Sequence, residues 1–368
     1  MPEPQSVACD ESSLRRAGSL HGRLWAWAVK NCIPLGASIE ITLVCNLRCS
    51  HCYNFDRAVP YPKERRGAEL TPAEILGVID QLSDEGCRFL SITGGEALLN
   101  PHLNDSIRFA RQRRMIVQVK TNGVLLTEDR VRGLAEAGAN GVDVSLYGAT
   151  PQTHDAFTLL PGSFAKAVDG IRHTRAAGLD CSVNMCILRG NAAEVAQMIE
   201  LAESLVGTNY GINPFISARY DGTTSSMDQR VSRETLEQLY RGPLRHLIPK
   251  PDFNPNRSVQ CACARANCAI TATGDVYPCI NAPVLSGNIR EDSFHNIWWN
   301  SPQFKRIRGL KLEDFPACKP CPDRPYCSRS SGAVFSDTGH YTGAEEFTCM
   351  DAGIKRMLHL EELAIADE

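Results

Sequence analysis

The stretch "SIEITLVCNLRCSHCYNFD", residues 38–56, carries two signals in succession. Its first seven residues form an apolar, β-branched run that reads as a strand. Directly behind them stand Cys45, Cys49 and Cys52, three cysteines within eight positions, followed at once by Tyr53. The chain beyond shows what the strand belongs to. "FLSITGG" (89–95), "IVQVKTNG" (116–123), "GVDVSLYG" (141–148), "CSVNMCIL" (181–188) and "YGINPFIS" (210–217) repeat the strand pattern. Helical patterns alternate with them, from "TPAEILGVIDQLSDEG" (71–86) to "SRETLEQLYRG" (232–242). Thr71 and Glu74 frame a capping box around Pro72, and Gly86, Gly138 and Gly178 stand where helices should stop. Such alternation demands a parallel sheet with right-handed crossovers. Six units rather than eight predict an α/β fold, a partial (β/α)6 TIM-type barrel, with its chemistry where the strands end. The three-cysteine loop falls at that mouth.

With 368 residues, 43% hydrophobic and 22% charged, the chain suffices for one large domain and a smaller one. A net charge of -3 and the lack of any run of about 18 apolar residues argue against nucleic-acid and membrane partners. The densest basic run, "RFARQRR" (108–114), reads as the solvated face of a helix. "MPEPQSVACDESS" at the N-terminus has no secretion pattern, so a reducing, cytoplasmic location is expected. In that setting 16 cysteines point to metal binding or catalysis rather than disulfides. Eight of them lie between 261 and 349, while Cys9, Cys32, Cys87, Cys181 and Cys186 are scattered and read as small buried apolar residues.

Three thiolates on a short loop suit an iron-sulfur cluster, because a cubane held by three cysteines keeps one iron free for a ligand. A structural zinc would want a fourth donor, and the nearby His51 adjoins Cys52, an awkward pair for one ion. The second strand ends in Gly94-Gly95-Glu96 at the same rim. Glycines there let a ligand approach the backbone, and a carboxylate accepts hydrogen bonds from an ammonium group. Together, Cys-x3-Cys-x2-Cys after strand one and Gly-Gly-Glu after strand two resemble the radical S-adenosylmethionine superfamily. The resemblance implies that Cys45, Cys49 and Cys52 hold a 4Fe-4S cluster whose open iron chelates S-adenosylmethionine. It implies further cofactor contacts from Tyr53, Gly94, Gly95, Glu96 and Ser145. Asn122 and Asn191, at other strand ends, are either cofactor contacts or turn residues. The chemistry so implied is one-electron cleavage of the sulfonium to a 5'-deoxyadenosyl radical that abstracts hydrogen from a substrate, the protein supplying orientation and protection. No catalytic acid or base stands out.

The C-terminal third, "CACARANCAITATGDVYPC" (261–279) and "CKPCPDRPYC" (318–327) with Cys349, resembles the SPASM extension, which implies one or two auxiliary iron-sulfur clusters. Cys318, Cys321, Cys327 and Cys349 would complete the second. Cys261 and Cys279 would belong to the first, together with Cys268 or Cys263. Ser331 stands where the family pattern has a further cysteine, so that cluster lacks one thiolate and a two-iron form stays open. The expected division is an N-terminal segment 1–35, a core 36–248, a linker 249–260, the extension 261–350 and a closing helix 351–368. Trp298 and Trp299 read as core or interdomain contacts.

Ile280 and Asn281 follow Cys279, whereas sulfatase-maturing members carry a basic aspartate there, so formylglycine formation is disfavoured. "SLYG" replaces the commoner Ser-Leu-Asp-Gly and puts Tyr147 near the mouth, as a substrate contact or as packing. Family analogy favours a ribosomal precursor peptide as substrate, with a small molecule such as a tetrapyrrole as the alternative. The roughly 35 residues before the first strand are too few for a winged leader-binding domain, which needs about 50. A separate leader-recognition protein, or direct leader binding, is therefore expected, along with an electron donor of the flavodoxin or ferredoxin type. "YDGTTSSMDQRV" (220–231) is expected to cross the active-site mouth, either touching substrate or merely connecting. A different class altogether would be a non-catalytic protein whose cysteines hold structural zinc.

Overall fold

Strand β1 (Gly36–Glu40) and its parallel neighbours β2 (Phe89–Thr93), β3 (Ile116–Thr121), β4 (Gly141–Leu146), β5 (Asp180–Cys186) and β6 (Tyr210–Asn213) lie side by side in sequence order. The computed structural model describes residues 19–56, 68–249, 251, 253 and 259–366. Cys9 and most of the expected linker lie outside them.

Alternation along each strand sorts the side chains. Ile39, Leu90, Ile92, Val117, Val119, Val142, Val144 and Val183 are buried in one large core with the apolar faces of the helices. The intervening Ser38, Ser91, Gln118, Lys120 and Asp143 are polar, and the first four line a cavity inside the curved sheet. Lys120 and Gln118 both donate to Asp143 at 2.8 Å, and the Ser182 hydroxyl bonds the same carboxylate. A closed eight-stranded barrel fills this space with branched apolar residues. Here it is polar and open.

The helices on the outer face begin and stop where the sequence predicts. Thr71 accepts from the Glu74 amide while the Glu74 carboxylate accepts from the Thr71 amide, closing the capping box of the first crossover helix (Pro72–Asp84). Gly138 ends the helix Glu128–Ala137 at φ 93°, a conformation that glycine adopts without steric cost.

The cysteine-rich extension adds to the barrel's sheet. Its first strand, β7 (Asn267–Ile270), pairs in parallel with β1 from Gly36↔Asn267 to Ile39↔Ile270, and β8 (Val276–Tyr277) runs antiparallel to β7. The aromatic segment forms two short helices, Phe294–Asn300 and Pro302–Gly309, separated at Pro302. Trp298 is buried and donates to the Cys32 carbonyl at 2.8 Å, and Trp299 donates to Glu85 at 2.8 Å, so both join the extension to the core. The closing helix begins at Glu346, earlier than expected, and packs Phe347, Ile354 and Leu358 on Leu236 and Tyr240 of helix Arg233–Arg241. Arg230 fastens the same junction. It pairs with Asp337 and, at 2.9 Å, with Glu345, both buried, and lies over the Phe215 and Phe347 rings at 4.9 and 5.2 Å. Among the described residues, no helix is long and apolar enough to cross a membrane.

Candidate active site

The loop after β1 turns into the mouth of the barrel because the β2 end lies flat against it. The Gly95 amide donates to the Thr42 carbonyl at 2.7 Å and the Glu96 amide to the Val44 carbonyl at 2.8 Å. A Cβ on Gly94 would sit 2.2 Å from the Thr42 oxygen, and one on Gly95 would sit 2.4 Å from the Val44 oxygen. The two glycines are thus required first by the approach of the cysteine loop's own backbone, a constraint the sequence reading attributed to a ligand.

That packing leaves a cavity of about 360 Å³ lined by Cys45, Cys49, Cys52, Tyr53, Gly94, Gly95, Asn122 and Ser145. Asn122 donates to Asn46 at 2.7 Å and approaches the Cys45 sulfur at 3.9 Å. Tyr53 reaches Glu40 through its hydroxyl at 3.4 Å and packs edge-on against Tyr220. Two predicted contacts stand elsewhere. Glu96 is 1% exposed and accepts from Thr121, the Asn122 amide and the Leu98 amide at 2.7, 2.8 and 3.0 Å. Its carboxylate ties the ends of β2 and β3 together behind the cavity, and burial raises its pKa. Asn191 is fully buried, donates to the Tyr147 and Cys186 carbonyls and accepts from the Leu188 amide. Of its two readings, this is the turn residue.

Cys186 and His51 also line the cavity. Cys186, at the end of β5, borders it rather than filling the core as its isolation in the sequence suggests, its thiol pushed up to about 11 by burial. His51 lies edge-on to Tyr147 with ring centres 4.3 Å apart, and burial, with His154 and Arg219 nearby, lowers its pKa to about 4. It is neutral at ordinary pH. The periodicity of β5, which aims Cys186 inward, hints at the first, and the place of His51 within the three-cysteine loop at the second.

Among the described residues, no three cysteine, histidine or acidic side chains converge closely enough to ligate one ion. A zinc site needs four donors on a single metal, whereas a cubane distributes its thiolates over separate irons. Three thiols spread along one cavity wall fit the cluster.

The extension carries two more cysteine-lined cavities. Cys318, Cys321, Cys327 and Cys349 surround one of about 330 Å³, which Cys261 also borders. Cys261, Cys263, Cys268 and Cys279 border another of about 530 Å³ that opens onto the barrel interior at Ser38 and Lys120. The Cys261 and Cys263 sulfurs lie 3.1 Å apart, and the hydrogen bond between them lowers the Cys261 pKa to about 5 while raising that of Cys263. Cys268 lies on the same cavity from β7, buried, with its sulfur 4.0 Å from the Gly36 carbonyl. Ser331 is fully buried, hydrogen-bonds Cys261 and accepts from Arg329 at 2.5 Å. The buried Tyr341 lies beside the Cys261, Cys263 and Cys279 thiols and Ser331.

A parallel half-barrel whose mouth is lined by thiols, and whose sheet is extended by a second thiol-rich unit, defines an iron-sulfur enzyme. Comparison with known proteins makes this specific. Residues 39–202 match the Radical SAM superfamily, and residues 261–322 match SPASM, an iron-sulfur cluster-binding domain. The chain is 28% identical over 343 residues to an AdoMet-dependent heme synthase of Methanosarcina barkeri, covering 86% of this chain and 96% of that one. It is 30% identical over 308 residues to a PqqA peptide cyclase of Streptomyces rochei, covering 79% and 82%. Its fold is that of Streptococcus suis SuiB, solved bound to the precursor peptide SuiA, with a TM-score of 0.65 at 15% identity over 89% and 80% of the two chains. The protein belongs to the radical SAM superfamily and carries a SPASM domain. It is an enzyme whose cofactors are iron-sulfur clusters and S-adenosylmethionine.

Proposed function

We propose that this enzyme abstracts hydrogen from an uncharged segment of a precursor peptide, leading to a crosslink or a comparable modification. The observation that carries this reading is the charge of the space beside the three-cysteine loop. The mouth cavity and the larger one below it share Ser38, Lys120, Ile280 and Asn281. Among the described residues lining them, Lys120 is the only lysine or arginine, and it is held by Asp143 at 2.8 Å. A tetrapyrrole bearing several carboxylates would require cations to bind them. A peptide backbone is served by the serine, asparagine and glutamine side chains present. The relatives' names divide between peptide cyclase and heme synthase, and the high coverage of the latter keeps a tetrapyrrole as the second reading.

In this proposal Cys45, Cys49 and Cys52 hold the cluster that, with S-adenosylmethionine bound, supplies the abstracting radical. Gly94, Gly95, Asn122, Ser145 and Tyr53 border the cofactor. Glu96 keeps Asn122 in place through its backbone amide. Cys318, Cys321, Cys327 and Cys349 hold one auxiliary cluster. Cys261, Cys263 and Cys279 hold another, with Ser331 at its fourth corner. A reductant of the flavodoxin or ferredoxin type is the partner this scheme calls for.

The test is to replace Cys45, Cys49 and Cys52 by alanine and count iron after anaerobic reconstitution. About four irons and all 5'-deoxyadenosine production should be lost, with the auxiliary iron retained. In parallel, deuterated neutral peptides and an iron-bound tetracarboxylate porphyrin are offered to the native enzyme. Deuterium transfer from a peptide into 5'-deoxyadenosine supports the peptide reading. Stoichiometric binding of the porphyrin with hydrogen loss from its side chains would replace it.

A further inference from the structure

A buried guanidinium grips the three-cysteine loop from behind. Arg219 is 3% exposed and follows β6 in the connection that the sequence places across the mouth. Its Nε donates to the Cys52 carbonyl at 3.1 Å and its Nη2 to the Ser50 carbonyl at 2.9 Å, so the planar fork spans the turn between Cys49 and Cys52. Its Nη1 donates to Ser225 at 2.5 Å and Thr223 at 3.3 Å. The neighbouring Tyr220 amide donates to the Tyr53 carbonyl at 3.0 Å, doubling the attachment.

All of these acceptors are neutral. Among the described residues, no carboxylate forms an ion pair with Arg219, in contrast to Arg230 a few residues on, which has two. A buried cation with neutral partners is costly unless a negative charge lies close by. Asp221 lies near enough for Arg219 to help lower its pKa, without an ion pair between them. The loop itself supplies a further negative charge, since thiolate ligation makes an iron-sulfur centre anionic, and more so once it is reduced.

We infer that Arg219 is a positioning residue that shapes the Cys49–Cys52 turn and serves as the counter-charge of the cluster on that loop, raising its reduction potential. This rests on the reading of Cys45, Cys49 and Cys52 as its ligands. Adding an electron to an anionic centre is easier beside a fixed cation, and the low dielectric of the interior sustains the effect. Removal of the cation should therefore make the cluster harder to reduce.

The experiment is an anaerobic redox titration of reconstituted full-length enzyme, following the electron paramagnetic resonance signal that changes when S-adenosylmethionine is added. Native protein is compared with Arg219→Gln, which keeps two donors but no charge, and Arg219→Lys, which keeps the charge but not the fork. Arg219→Gln should lower the reduced-to-oxidised ratio at a fixed potential at least tenfold, a midpoint shift of about 59 mV or more to the negative side. Arg219→Lys should hold the native midpoint while retaining less iron after desalting. Native midpoints in both variants, or a shift in Arg219→Lys as large as in Arg219→Gln, would overturn the inference. Loss of iron from Arg219→Gln alone, with Arg219→Lys loaded at the native midpoint, supports it. If native protein gives no signal that disappears in the Cys45, Cys49 and Cys52 triple variant, the underlying ligand reading has failed instead.

Discussion

Arg230→Met is expected to loosen the cysteine-rich extension from the barrel. The native guanidinium is 13% exposed at its side chain and faces Asp337 and Glu345, 2% and 3% exposed. It also donates to the Ile216 carbonyl at 2.7 Å, beside the cavity. Methionine keeps the bulk between Phe215 and Phe347 but strands two buried carboxylates. Breaking a buried pair from one side costs about 3–5 kcal/mol, and the lost cation–π contacts add about 0.5–2 kcal/mol. For a large chain, about 2 °C of melting temperature per kcal/mol gives a fall of roughly 7–14 °C. The sign of the pH dependence is a second check. Burial already raises the Asp337 pKa in the presence of Arg230. Without the cation it rises further, so the folded variant holds protons that the unfolded chain has released, and its stability drops as pH rises above the ordinary aspartate value of about 4. The deficit should be larger near pH 8 than near pH 5.5. Thermal melts of both proteins under identical reconstitution decide the matter: a shift under about 2 °C, or a deficit that grows on acidification, refutes the reasoning.

Four further outcomes follow from the geometry. Gly95→Ala forces its Cβ against the Val44 and Leu43 carbonyl oxygens at 2.4 and 2.5 Å, so the cysteine loop must move; a loss of about 1–3 kcal/mol in denaturant melts and iron missing from that loop are expected. Cys263→Ala, at a sulfur 3.1 Å from that of Cys261, should reduce the auxiliary iron content, as a colorimetric iron assay would reveal. Ser331→Cys supplies a thiolate at the fourth corner and should alter the Mössbauer spectrum of the auxiliary iron without disturbing the S-adenosylmethionine-sensitive signal. His51 packs edge-on against Tyr147 with ring centres 4.3 Å apart, so His51→Phe should keep S-adenosylmethionine cleavage within a few fold of native, and its loss with full iron content would contradict a packing role.

Much of the architecture was legible because it rests on local chemistry. Strand alternation, the Thr71–Glu74 box and the stop at Gly138 are short-range signals, and the thiols gather where one loop carries them. What the sequence concealed depends on pairing at a distance. Nothing local says that Asn267–Ile270 docks on Gly36–Ile39, that Cys268 thereby faces the core, or that Arg219 reaches back to Ser50 and Cys52. The surroundings of Glu96 and Asn191 were hidden for a related reason: a polar residue at a strand end serves neighbouring backbone as readily as a ligand, and the assembled hydrogen bonds show the backbone partners.

The pairing of β7 with β1 also sets a timetable. During synthesis the β1 edge emerges first, yet its outer partner begins only at Asn267. At about 5–20 residues per second the ribosome leaves that edge bare for roughly 11–45 s. For that interval the half-barrel has an unsealed side adjoining Ser38 and the space beneath the three-cysteine loop, which gives iron delivery a window before the extension closes it. It also exposes a strand edge that other chains can join. Production of this enzyme should accordingly depend on how fast the residues between β1 and β7 are made and on how promptly metal arrives.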